Sequence, residues 1–108
     1  MANNNNGGLT GLPLLGASGF EQISVTSAAV VNLTVPIGAV ACSISCYDVL
    51  APSLPIIQFN FGVNPTITSG NPIFDKMYFE LTTESAMANI KFIGTNANTK
   101  LINVQYFY

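Results

Sequence analysis

The sequence predicts an all-β protein: a single antiparallel β-sandwich, Ig-like or jelly-roll-like, of about seven strands behind an extended N-terminal arm. Three observations carry this expectation. Short segments that alternate apolar and polar residues recur at spacings of about 10–15 residues, with turn signals between them. No segment sustains a helical period, so helix should stay below about 10%, against an ordinary third. Residues 1–19 differ in composition from all that follows, which divides the chain into an arm, 1–19, and a sandwich domain, 20–108.

The arm opens with a polar tract, Asn3 to Asn6 followed by Gly7 and Gly8. Leu9, Leu12, Leu14 and Leu15 come next, punctuated by Gly11, Pro13, Gly16 and Gly19. Pro13 and the glycines argue against a helix, and the leucines against a purely solvated tail. An arm docked on a neighbouring subunit satisfies both, as does a leader whose leucines pack on their own domain.

In the domain, Ile23 and Val25 alternate with Gln22 and Ser24. Val31, Leu33 and Val35 alternate with Asn32 and Thr34, and residues 36–38 then read as a turn. A third strand covers 39–47. Pro52 and Pro55 mark a loop, after which Ile57, Phe59 and Phe61 alternate with Gln58 and Asn60. Residues 62–72, with two Asn-Pro steps, read as a long loop. Met77, Phe79 and Leu81 form the next alternation, 82–89 one helical turn with Ser85 as its cap, 90–93 a short strand and 101–108 the last. The predicted core is Val31, Leu33, Ile44, Ile57, Phe59, Phe79, Phe92 and Val104.

Charge is the scarcest property. The chain has three lysines, five acids, no Arg and no His, while 49% of its residues are apolar. A monomer of this mass should expose roughly 5,800 Å² of surface, or about 700 Å² per charge. The outward strand positions carry neutral groups instead: Gln22, Ser24, Asn32, Thr34, Ser43, Ser45, Gln58, Asn60, Asn103 and Gln105. Such groups enter an interface more cheaply than charges do. The edge strands also lack lysine gatekeepers. The chain therefore reads as a building block of a permanent assembly. Without a basic cluster, nucleic acid is not an expected partner. No apolar run is long enough for a membrane helix, and the first residues lack the charge of a signal peptide, so synthesis in a cytosol is expected.

Catalytic signals are poor. The absence of His removes Ser-His and Cys-His arrangements, and the absence of Arg with so few lysines argues against phosphoryl transfer. Glu80 and Glu84, the nearest carboxylate pair, read as surface acids, and Asp48, Asp75 and Glu84 lack calcium-loop spacing. No catalytic residue, cofactor or metal is expected. Cys42 and Cys46 share a strand face about 13 Å apart, too far for a bridge, and read as buried free thiols. The sequon at Asn32 falls in a predicted strand. Most aromatic residues occupy inward positions; Phe74, Phe107 and Tyr108 are interface candidates beside Leu9, Leu12, Leu14 and Leu15. Asn60, Asp75 and Tyr78 would serve a sugar site if they met.

Four segments carry a resemblance: Pro36-Ile37-Gly38-Ala39, Gly62-Val63-Asn64-Pro65-Thr66, Phe92-Ile93-Gly94-Thr95 and the closing run from Leu101 to Phe107. In this order they resemble small virion proteins of tailed bacteriophages, over 31–108. Where that family often carries an Arg before its last strand, the nearest base here is Lys91, and the arm has no counterpart. The resemblance implies a β-sandwich subunit of a phage particle, such as a capsid cement or decoration protein. Its expected partner is the major capsid protein, its expected state a homo-oligomer, with a trimer favoured, and its place the virion surface after synthesis in the host cytoplasm. A neck, tail or fibre-base component and a carbohydrate- or receptor-binding module are the alternatives.

Overall fold

A computed structural model of the chain describes residues 17–48 and 54–108. It holds eight strands: β1 Ala17–Val25, β2 Val31–Asn32, β3 Ala41–Asp48, β4 Ile57–Phe61, β5 Asn71–Ile73, β6 Tyr78–Leu81, β7 Ile90–Gly94 and β8 Lys100–Phe107. One short helix, α1 Glu84–Asn89, precedes β7. The strands form two four-stranded sheets, ordered β1-β8-β3-β6 and β2-β7-β4-β5, and every pairing is antiparallel.

This order is concentric. The first strand pairs with the eighth, the second with the seventh, the third with the sixth and the fourth with the fifth. The β8–β3 and β7–β4 pairings then join these pairs into the two sheets. That is the jelly roll, one of the two sandwich topologies left open by the sequence.

Cross-strand partners share a sheet face, so the register defines the core. In the first sheet Ile23, Ile102 and Cys46 face inward together, as do Ile44, Val104 and Phe79. In the second, Ile57 meets Gly94 and Ile73, and Phe59 meets Phe92. Phe59 bridges the sheets: its ring stacks on Phe79 at 5.6 Å and lies 6.4 Å from Phe92. Of the expected core, Ile44, Ile57, Phe92 and Val104 are buried, while Val31, Leu33, Phe59 and Phe79 are half-buried against it. Val25, Ile56, Ile73, Met87, Ile90, Ile102 and Tyr106 are buried in the same cluster, with Ala39, Cys42, Cys46 and Leu81.

Several expected boundaries move. β1 starts at Ala17, inside the segment expected to be arm, because Ala17 and Gly19 pair with Phe107 and Tyr106 across a bulge. The second strand is short; Leu33 and Val35 pack on the core without joining the ladder. Met77 is not in a strand. It lies in a turn where its N–H donates to the Phe74 carbonyl and where Lys76 takes a φ of 66°. β5 occupies part of the expected 62–72 loop, where Pro72 sits in an edge strand with no second neighbour to serve. The helix cap is Thr83, not Ser85: Thr83 is extended, and its Oγ1 accepts the Ala86 N–H at 3.1 Å.

Candidate interaction surfaces

The few charges are distributed unevenly. Lys76 and Glu84 are exposed; Glu21, Asp75, Glu80 and Lys91 are half-buried, and Asp48 and Lys100 are buried. Asp48 and Lys100 are direct partners across β3 and β8, and Lys100 Nζ lies 3.5 Å from Asp48 Oδ2. The ammonium also donates to the Asn98 carbonyl at 2.6 Å and to Asn96 Oδ1, which ties it to the β7–β8 turn. Asp75 Oδ1 accepts the Asp48 N–H at 3.0 Å. The ion pair at this end of the sandwich is buried, with its side chains 0% and 1% exposed.

Glu21 is likewise turned inward. Both its carboxylate oxygens accept the Thr34 N–H at 3.1 Å, and Oε1 also accepts the Tyr106 hydroxyl. Burial, then the Glu21 charge, pushes the Tyr106 phenol well above its ordinary range. Cys42 and Cys46 are free and fully buried on β3, as the alternation predicts. Burial pushes their thiols up to about 11 and about 12. Both are protonated near neutrality and poor nucleophiles or metal ligands. Among the described residues no three His, Cys, Asp or Glu side chains gather to hold a metal ion.

Only two of the eight charged side chains are thus fully outside, while large apolar groups stand there. Ile37, Leu54, Val63 and Phe20 are exposed by 100%, 71%, 67% and 63%. Phe61, Ile67, Phe74, Met77, Tyr78 and Tyr108 are also exposed. Of the expected interface residues, Phe74 sits at the end of β5, and Tyr108 lies against Gly38. Phe107 is different. It forms a small buried cluster with Ala41 on the outward side of the first sheet and offers no open surface. The reason is register: Tyr106 takes the inward position at the chain end, and Phe107 falls on the other face. Leu9, Leu12, Leu14 and Leu15 lie outside the described residues.

The imagined sugar site does not assemble. Tyr78 pairs with Ser45 on the outward face of the first sheet and donates its hydroxyl to Glu80 at 2.9 Å. Asn60 pairs with Lys91 on the outward face of the second sheet. Asp75 is engaged with the β3 backbone.

Among the described residues, two surface depressions bring together residues distant in sequence. The larger, about 330 Å³, lies between Leu54, Pro55, Gln58, Ile67, Thr95 and Asn96. The smaller, about 290 Å³, lies between Phe61 and one side of α1, at Thr83, Ser85, Ala86 and Asn89. Sequence reasoning placed Leu54 and Ile67 in loops and assigned them no role; a large aliphatic residue inside a Pro- and Gly-rich loop was the available signal. No protein-family model matches this chain, and comparisons with curated proteins and with solved structures return no match.

Proposed function

We propose that this chain is a structural subunit of a virus particle, of the capsid-associated cement or decoration kind found on tailed bacteriophages. The observation that carries the reading is the outward surface. Of eight charged side chains two are exposed, while Ile37, Leu54, Val63 and Phe20 stand in solvent. A jelly roll by itself serves shells, lectins and enzymes alike, so the fold supports the reading only as analogy. The surface adds the physical reason. Amide, hydroxyl and aromatic groups cost less to remove from water than charges do, and a closed assembly hides them permanently.

In this role the subunit lies on the virion surface, bound to the major capsid protein and self-associated, with a trimer as the closed form expected. It would stabilise the shell by covering seams with apolar area. Sedimentation at micromolar concentration tests self-association, and mass-spectrometric stoichiometry of a purified particle tests the location. Hundreds of copies support the capsid position, while a dozen or fewer point to a neck or tail component. Attachment should change little between about 50 and 500 mM salt, because screening has few charges to act on. A soluble monomer without affinity for particles refutes the proposal.

A further inference from the structure

The cleft between Leu54 and Ile67 has features of a receptor for an extended aliphatic segment. Its volume, about 330 Å³, is far beyond the roughly 30 Å³ share of one water. Leu54 and Ile67 present exposed apolar walls. Gln58 lines the same cleft, and its Oε1 is enclosed with no hydrogen-bond partner. An unpartnered buried acceptor is costly, and a turn about its soft terminal torsion would bring it to the cleft. An occupant with aliphatic side chains and a free backbone N–H would satisfy both walls and acceptor.

The chain carries such a segment. Leu12, Leu14 and Leu15 surround Pro13 in a stretch whose proline and glycines argue against a helix, and residues two apart in an extended chain project to one side. Reach decides whose cleft it fills. The segment joins β1 at Ala17, beside Phe107. The cleft lies at the other end of β1, where Ser27 N–H donates to the Asn96 carbonyl and Gly94 N–H to that of Thr26. β1 has nine residues, so its ends are separated by roughly 26 Å. Leu12 precedes Ala17 by five residues, a span of at most about 18 Å. Gln58 belongs to the other sheet and lies on its outward face. Leu12 and Leu14 therefore cannot enter the cleft of their own chain.

We infer that the 12–15 segment of one copy docks in the Leu54–Ile67 cleft of a second copy, a head-to-tail contact that can close a ring. This rests on the proposal that the chain self-assembles, and it adds the place and polarity of the contact.

The test uses full-length chains with one new cysteine each, Leu14→Cys in one and Ile67→Cys in the other. Cys42 and Cys46 are buried and stay out of the exchange. Mixed and mildly oxidised, the two variants should give a disulfide-linked heterodimer mapped to positions 14 and 67. Ile67→Asp should weaken assembly at least tenfold while the circular dichroism spectrum is unchanged. An oligomer that forms without the 14–67 link, and that Ile67→Asp leaves intact, overturns the inference but not the assembly proposal. A chain with both substitutions that closes only on itself overturns it through the reach argument. If full-length wild type stays monomeric at every concentration and binds no particle, the assembly proposal falls first.

Discussion

Lys100→Met isolates what the buried ion pair does. The substitution keeps an unbranched side chain of similar length but removes the ammonium, leaving the Asp48 carboxylate in a site where both partners are at most 1% exposed. Removing one member of a buried pair costs about 3–5 kcal/mol, because the other charge stays desolvated. The lost bond to the Asn98 carbonyl lies within that figure, since Asn98 is exposed and water can replace the donor. A domain this size has roughly 5–15 kcal/mol in all, so Lys100→Met should lower Tm by about 12–25 °C. Lys100→Met combined with Asp48→Leu removes both charges and should cost less than the sum of the two single substitutions. The Asp48 N–H to Asp75 bond uses the backbone and survives. Urea unfolding followed by circular dichroism measures all four corners of the cycle. A loss below about 1 kcal/mol for Lys100→Met, or a double variant as damaged as the sum of the singles, would refute this account.

Three further expectations concern the core. Phe59→Ala should cost about 3–4 kcal/mol by urea unfolding, somewhat under a fully enclosed Phe, because the ring is half-buried yet touches Phe61, Phe79 and Phe92; a loss under 1 kcal/mol would mean that the two sheets do not meet there. Gly94→Ala should cost about 1–3 kcal/mol, since its new methyl would sit 2.7 Å from the Thr26 carbonyl carbon, and wild-type stability would disprove that close approach. Alkali should destabilise the fold. The thiols ionise near 9.0 when unfolded but only near 11 and 12 when folded, and Tyr106 shifts the same way, so the stability is complete below pH 9 and is lost as pH rises through that window. A urea midpoint that holds from pH 6 to 8, declines above about 9, and declines less steeply in Cys46→Ala is the expected record; thiol titration of the native protein at neutral pH should find neither cysteine reactive.

Alternation made β3, β4 and β8 legible, because apolar and polar residues alternate along each of them and the apolar set turns to the core. It failed where a side chain's place depends on its partner. Lys100 reads as a surface residue by type, and only the β3–β8 register, which sets it opposite Asp48, makes burial tolerable. β5 was hidden by Pro72, which forbids a central strand but not an edge. Phe107 looked free because nothing local says which of two terminal aromatics faces in. The cleft at Leu54 and Ile67 could not be read at all, since its residues come from three separated segments that only the completed sandwich brings together.

The concentric strand order also governs how the chain can fold. β8 is the inner strand that separates β1 from β3, so the first sheet has no centre until residues 100–107 exist. During synthesis β1 and β3 emerge early and wait with unpaired edges, apolar on one side and nearly uncharged on the other. Long-range closure of this kind is slow, and waiting edges are where chains stick to one another. A chain of this design has its greatest risk of aggregation on the ribosome rather than after it, and its yield should respond to translation speed and temperature more than to its final stability.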